Sequence, residues 1–238
     1  MILIIFVAAR NQYHEKNASL YCSINSCYMI NIDLLLTMGA TYKRVSEGEI
    51  IFMEGSRCNF YHQLVSGKVK WININDDGKE YLQTVVEPGE SFGELPLFDE
   101  QPYAATAIAE EDSLLIRLHQ STFHQLIKEH PEIHMEFSKL LVQRLRFKFF
   151  LLRELLNSQP EERISSLINY LKETKHNVCT SCGKVKLTRQ QIANMTCLRV
   201  ETVIRAIRQM HDRGEVIIKR GKVYCGDMTQ VISANCAV

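Results

Sequence analysis

The rhythm of hydrophobic and polar positions changes twice along the chain. Between Tyr42 and Leu118 the apolar runs are short: Lys43-Arg44-Val45, Ile50-Ile51-Phe52, Phe60 to Val65, Lys68 to Asn73, Tyr81 to Val86, Ala104 to Ile108 and Ser113 to Leu118. Between them stand Glu47-Gly48, Glu54-Gly55, Ser66-Gly67, Asp76-Asp77-Gly78 and Glu87-Pro88-Gly89. In Lys68 to Asn73 outward Lys alternates with inward Val69 and Trp71. Short strands of period two, separated by turn residues, predict an antiparallel roll or sandwich from about 41 to 119. A short helix over 31–40 precedes it.

From Ser121 the period is that of a helix. Ser121 reads as an N-cap, and Thr122 to Glu129 as a short helix ended by Pro131. Glu132 to Asn157 is one long amphipathic segment carrying two apolar stripes. Val142, Leu145, Phe149, Leu152 and Leu156 are spaced alternately three and four apart, the pattern of a coiled-coil seam. Phe137, Leu140, Phe147 and Leu151 form the second stripe. One stripe lies against the chain's own domain, and a second needs another surface, so the first is assigned to a homodimer seam; burial of both within one chain is the alternative. Ser158-Gln159-Pro160 breaks the helix, and Arg163 to Lys172 resumes with Ile164, Leu167, Ile168 and Leu171 on one face.

Residues 187–216, LTRQQIANMTCLRVETVIRAIRQMHDRGEV, hold two short helices. Thr188 with Gln191 makes a capping box for a helix over Arg189 to Met195 that buries Ile192. Thr196-Cys197-Leu198 is the turn. Val200 to Arg213 follows, burying Val203, Ala206, Ile207 and Met210. Two short helices joined by three or four residues are a helix-turn-helix. Arg199, Glu201, Thr202 and Arg205 point away from the buried face at the end of the second helix that enters the major groove in this motif. An Arg fork suits guanine, and Glu accepts from cytosine N4. Residues 216–224 then read as a hairpin, the wing, with basic Lys219 and Arg220 at its tip.

Charge sharpens this picture. From Lys184 to Lys222 stand ten basic residues against three acidic ones, a local net charge of +7 in a chain whose total is +1. A basic segment on an acidic body points to double-stranded DNA as the partner. The first nine residues, MILIIFVAA, are apolar but fall short of the roughly twenty that span a bilayer. They read as part of an N-terminal extension, and the chain as cytoplasmic. The eight cysteines are scattered, as in a reducing compartment. Cys179-Thr-Ser-Cys182 is a lone Cys-x-x-Cys; zinc there requires two further ligands, and a redox pair or plain loop cysteines are the other readings.

The stretch 91–106, SFGELPLFDEQPYAAT, has a glycine beside backbone amides and a short turn of helix, a common anion cradle. Yet no Lys or Arg lies between Lys79 and Arg117.

Ser66-Gly67-Lys68-Val69, Phe92-Gly93-Glu94-Leu95, Leu187-Thr188-Arg189-Gln190 and Glu201-Thr202-Val203 with Arg205, in this order around a long helix, resemble the cyclic-AMP receptor/fumarate-nitrate regulator (CRP/FNR) family over residues 31–225. The resemblance implies an α+β chain: an extension over 1–30, a cyclic-nucleotide-binding-like β-roll with flanking helices over 31–130, a dimerisation helix over 131–158, a winged helix-turn-helix over 159–226 and a tail over 227–238. It implies a homodimeric, sequence-specific transcription regulator with a DNA operator, RNA polymerase as a partner and a small-molecule effector in the roll. Thr188, Arg189 and Gln190 join the DNA-facing set. The effector pocket it implies is Phe92, Gly93, Glu94, Leu95, Tyr103, Ala104 and Ala105, with Lys148 and Phe149 from the long helix.

Three departures qualify the chemistry. The Arg that holds the cyclic phosphate in the relatives is Tyr103 here. Loss of that buried guanidinium costs about 2–5 kcal/mol, roughly 30-fold to several thousandfold in affinity. Lys148 and Phe149 stand where cyclic-AMP-binding relatives present hydroxyls. Val200 stands where an Arg usually reads guanine, with Arg199 one place earlier. Cys22, Cys27 and Cys58 lack the number and spacing for an iron–sulfur cluster, and the histidines show no haem-ligand spacing, so neither cofactor is expected. No nucleophile elbow, Walker loop or paired-carboxylate constellation is present, and no catalytic residue is assigned. The alternative function is a cyclic-nucleotide-type module that acts through protein partners.

Overall fold

A computed structural model describes residues 28–157 and 159–225. Residues 1–27 of the expected extension, with Cys22 and Cys27, and the tail from 226 onward lie outside the described residues. In chain order the elements are α1 (Ile32–Thr37), β1 (Thr41–Val45), β2 (Ile50–Phe52), β3 (Phe60–Ser66), β4 (Val69–Ile74), β5 (Glu80–Val86), β6 (Ser91–Phe92), α2 (Leu95–Asp99), β7 (Thr106–Ala109), β8 (Ser113–His119), α3 (Gln120–Glu129), α4 (Pro131–Asn157), α5 (Pro160–Thr174), α6 (Arg189–Thr196), α7 (Val200–Asp212), β9 (Ile217–Lys219) and β10 (Lys222–Tyr224). No described helix is long and apolar enough to cross a membrane.

Two compact units emerge. The first comprises residues 28–69, 86–103 and 109–136. Its sheet runs β1-β8-β3-β6, antiparallel throughout, with Thr41 opposite Arg117 and His62 opposite both Arg117 and Phe92. The central strand β3 is buried on both faces, so Tyr61, His62, Gln63 and Leu64 are all inside. A buried glutamine must have its amide satisfied. Gln63 Oε1 accepts from Ile30 N at 2.8 Å and from the Tyr61 hydroxyl at 2.6 Å, and Nε2 donates to the Ile30 carbonyl at 3.0 Å. Through these bonds Ile30, 1 % exposed, is anchored on the central strand of the roll. Gly67 turns β3 into β4 with φ +93; a Cβ there would lie 2.7 Å from Ser113 Cα, so only glycine fits.

Helix α3 starts at Gln120, two residues earlier than the sequence predicts. His119 is its N-cap, and its Nδ1 accepts from Ser121 N at 3.3 Å. Ser121 is therefore inside the helix. Tyr61 stacks on Phe123 with ring centroids 5.0 Å apart, which seats α3 on the sheet.

The second unit comprises residues 70–85, 104–108 and, from 137, the rest of the described chain. Here β4 lies between β7 and β5 in a sheet. Its core joins Ile72, Leu82 and Val85 to Leu151 of α4, to Ile164, Leu167, Ile168 and Leu171 of α5, and to the buried faces of α6 and α7. Strand β4 is thus two-faced: Trp71 is 6 % exposed and Ile72 is fully buried. The predicted inward set of Val69 and Trp71 holds, and Ile72 adds a second buried face. On α4 the predicted stripes separate. Phe137 and Leu151 are buried, whereas Val142, Leu145, Phe149, Leu152 and Leu156 are between 51 % and 74 % exposed.

Candidate nucleic-acid interface and effector site

The helix-turn-helix forms as its capping residues dictate. Thr188 Oγ1 accepts from Gln191 N at 3.1 Å while Gln191 Oε1 accepts from Thr188 N at 2.7 Å, closing the capping box. Cys197 ends α6 in the left-handed region at φ 57, doing without glycine what the turn requires. Arg163 reaches across from α5 and donates to the Thr196 carbonyl at 3.1 Å, satisfying one of the orphan acceptors at the end of α6. The face of α7 formed by Val203, Ala206, Ile207 and Met210 is buried, as its spacing predicts. Arg199, Glu201 and Arg205 are exposed at the N-terminal end of the same helix, and Thr202 is half-buried beside them.

The wing is a two-residue hairpin in which Lys219 faces Lys222. Its tip residues Arg220 and Gly221 both have positive φ, 49 and 74, the requirement of the turn type that matches strand twist. Lys219 and Arg220 are exposed there. Arg189 donates to the Gly221 carbonyl at 2.6 Å, tying the start of α6 to the wing tip. Gln190, next to it, is exposed and bonds Asn194 at 2.8 Å. Arg213, counted in the basic segment, is committed elsewhere: it bonds Glu161 of α5 and, at 2.6 Å, Glu215. Glu161 lies 52 residues away in sequence, so local spacing gave no sign of that pairing.

In the roll, the Gly93 turn is built on aromatic rings. Tyr103 lies flat on Phe52, ring centroids 3.8 Å apart and planes 8° from parallel. Phe92 and His62 extend the group, each 5.6–5.9 Å from a neighbouring ring. A Cβ on Gly93, at φ +69, would lie 2.5 Å from Phe52 Cζ and 3.0 Å from Tyr103 Cε1. The Phe52 ring, with Tyr103 stacked on it, therefore fills the space against the Gly93 backbone. Its hydroxyl donates to Cys58 Sγ at 3.2 Å, and burial, reinforced by that sulfur, raises its pKa above the ordinary phenol range. Glu94 is fully buried and heads α2, where its carbonyl accepts from Leu97 N at 3.0 Å. Leu95 opens α2 and is half-buried.

In the second unit Trp71 Nε1 donates to the Ala105 carbonyl at 3.3 Å, and Asn73 Nδ2 to the Ala104 carbonyl at 2.7 Å. Asn73 Oδ1 accepts from Gln83 at 2.7 Å, and Lys148 donates to the Gln83 carbonyl at 3.2 Å and to its side-chain oxygen. A polar chain thus joins Ala104 to Lys148. Lys148 is exposed as a residue, but its ammonium is tucked against Gln83. That burial, with Arg144 nearby, pushes its pKa down to about 8. Phe149, grouped with Lys148 by the sequence, is 63 % exposed and shares the seam face. Asn73 and Gln83 went unnoticed in the sequence because a polar residue on a strand carries no periodic signal.

Among the described residues no group of three or more His, Cys, Asp or Glu side chains is placed to hold a metal ion.

These features agree with the chain's similarities. A cyclic nucleotide-binding domain matches residues 42–130, and a Crp-like helix-turn-helix domain matches residues 162–230. The CRP-like cAMP-activated global transcriptional regulator of Mycobacterium tuberculosis is 26 % identical over 182 residues, 76 % of this chain and 81 % of the relative. The cAMP-activated global transcriptional regulator CRP of Pasteurella multocida is 29 % identical over 170 residues, 71 % of this chain and 81 % of the relative. FixK2 from Bradyrhizobium japonicum shares the fold, with a TM-score of 0.67 at 19 % identity over 84 % of this chain and 98 % of FixK2. A roll with the Gly93-Glu94 turn, the long helix α4 and a winged helix-turn-helix that leaves Arg199 and Arg205 in solvent place this chain in the CRP/FNR family of DNA-binding transcription regulators.

Proposed function

We propose that this chain is a homodimeric, operator-specific transcription regulator whose roll does not take a cyclic-nucleotide phosphate. The observation that carries the reading is the division of α7 into a buried face and an exposed, basic N-terminal end. Arg199, Glu201, Thr202 and Arg205 meet base edges in the major groove, while Thr188, Arg189, Gln190 and the wing residues Lys219 and Arg220 hold phosphates. Two copies pair along the five exposed apolar residues of α4. Large apolar side chains in a continuous stripe are seldom left in water, and seam spacing is what a two-stranded coil buries.

Tyr103 supports the statement about the roll. A guanidinium at that position gives a cyclic phosphate a charge-assisted fork; the phenol gives one neutral bond, and that bond is already made to Cys58. Its ring, with that of Phe52, also occupies the space beside Gly93. An effector of this protein therefore lacks the cyclic phosphodiester, and operator binding proceeds without cyclic AMP. The domain boundaries near 130 and 159 are part of the same proposal, as is contact with RNA polymerase from the DNA-bound dimer.

Anisotropy titration on a duplex selected from a random pool tests the reading. Affinity should fall linearly on a logarithmic salt scale with a slope set by the phosphates neutralised. A protein with no preferred duplex and no salt slope would be acting through protein partners instead.

A further inference from the structure

The Cys179-x-x-Cys182 motif is not used by the DNA-binding surface or the roll. It closes a small hairpin leading into α6. Cys179 N donates to the Lys184 carbonyl and Gly183 N to the Cys179 carbonyl, both at 2.8 Å. The second bond is that of one helical turn, and helix geometry places Cα atoms three positions apart at about 5 Å. A disulfide needs Cα atoms within about 4.4–6.8 Å, so the backbone is already near the required span. Both residues are present as thiols. They differ in access: Cys179 is half-buried, and Cys182 is 1 % exposed.

The hairpin is bonded to the wing. Cys225 N donates to the Gly183 carbonyl and Val185 N to the Val223 carbonyl, both at 2.8 Å, and Lys184 pairs with Tyr224. Strand β10 carries the other end of the turn that presents Arg220 and Gly221. A change in the 179–184 turn therefore acts on the strand that positions a phosphate-contacting tip.

We infer that Cys179 and Cys182 form a peroxide-responsive dithiol whose oxidation to a disulfide weakens operator binding through the wing. The sulfur of Cys179 sits 3.0 Å from the Ser181 hydroxyl. Hydrogen bonds from that hydroxyl, from the Cys182 and Ser181 amides and from the Cys182 thiol hold the Cys179 thiol down at about 6, so it is largely thiolate at neutral pH. Cys225, by contrast, is pushed up to about 11 by burial, and burial also raises Cys58. In the first step the Cys179 thiolate attacks one peroxide oxygen. An S–O bond forms, the O–O bond breaks, and the departing hydroxide takes up a proton as water. In the second, Cys182 attacks the resulting sulfenic sulfur: an S–S bond forms, the S–O bond breaks, and hydroxide leaves with the thiol proton as a second water. The two thiols lose two electrons and the peroxide gains two. A low-molecular-weight thiol reverses the disulfide by exchange.

The full-length protein treated with hydrogen peroxide tests this in two parts. Peptide mapping after alkylation should find a Cys179–Cys182 disulfide. Cys179→Ser should prevent it, and Cys182→Ser should stop at a sulfenic acid that dimedone traps on Cys179. Anisotropy on the selected duplex should then show affinity falling about tenfold after oxidation, recovering with dithiothreitol and unchanged in Cys179→Ser. The DNA arm rests on the operator-binding reading, and the mapping arm does not. Absence of the disulfide, or a peroxide response that survives in Cys179→Ser, overturns the site. A disulfide that leaves affinity unchanged overturns its link to the wing.

Discussion

The Gly93 turn and the start of α7 carry equally clear motifs, and the structure treats them oppositely. At α7 the chemistry-bearing side chains stand in solvent and the apolar ones are buried behind them, so motif and chemistry coincide. At Gly93 the backbone of the anion cradle is kept, but Tyr103 and Phe52 are stacked against it and Glu94 is buried. A turn motif records how the backbone must bend. What the bend holds depends on a residue ten positions later, and on a ring from another strand.

Substitution at each region should separate these roles, one proposed for DNA binding and the other built into the fold. The largest effect belongs to α7. Arg199→Ala with Arg205→Ala should remove about 2–6 kcal/mol of operator affinity, at roughly 1–3 kcal/mol for each base-reading Arg. Thermal melting should stay within a degree or so, because both side chains are exposed. Next comes the seam on α4. In the proposed dimer Phe149→Asp removes one interfacial aromatic from each protomer, about 3 kcal/mol or more in total, and dimer affinity measured by sedimentation should fall at least about a hundredfold. Gly93→Ala strikes the turn itself. Positive φ and the close approach of Phe52 should cost about 1–3 kcal/mol of stability, read by denaturant unfolding, with the salt slope of DNA binding unaltered.

The most gradual effect is a pH slope in the aromatic group behind the turn. Burial, with repulsion from Arg117 and Lys43, pushes the pKa of His62 down to about 3. The unfolded chain takes up a proton there below about pH 6.5, and the folded chain does not until about pH 3. Stability should therefore fall with decreasing pH across that window, by up to about 1.4 kcal/mol per unit from this group. Unfolding titrations between pH 7 and pH 5 measure it; a flat profile would mean that His62 is solvated.

Much of this molecule is legible in its hydrophobic rhythm. The strands of the roll, the two stripes of α4, the capping box at Thr188 and the buried face of α7 all follow from spacing, because each is set by neighbours within one or two turns. What escaped the sequence depends on distant partners. The two-residue strand β6 is too short to show a period and exists because Phe92 pairs with His62. Ile72 is buried in a core whose helical members lie from Leu151 onward, far along the chain. His119 caps α3 where Ser121 fits the usual preference, since a histidine ring nitrogen seldom enters that rule. At the candidate site, the missing Arg is visible in the sequence, whereas the stacking of Tyr103 on Phe52 is not. Arg213 likewise reads as part of a basic surface until Glu161 is seen beside it.

The most direct test of the whole account is operator affinity measured with and without cyclic AMP, by anisotropy on a duplex selected from a random pool. A salt-sensitive affinity that is the same at zero and millimolar cyclic AMP is the result predicted for an intact α7 and a filled Gly93 turn. Binding that appears only when cyclic AMP is added would contradict it, and would mean that Tyr103 leaves Phe52 to admit the phosphate.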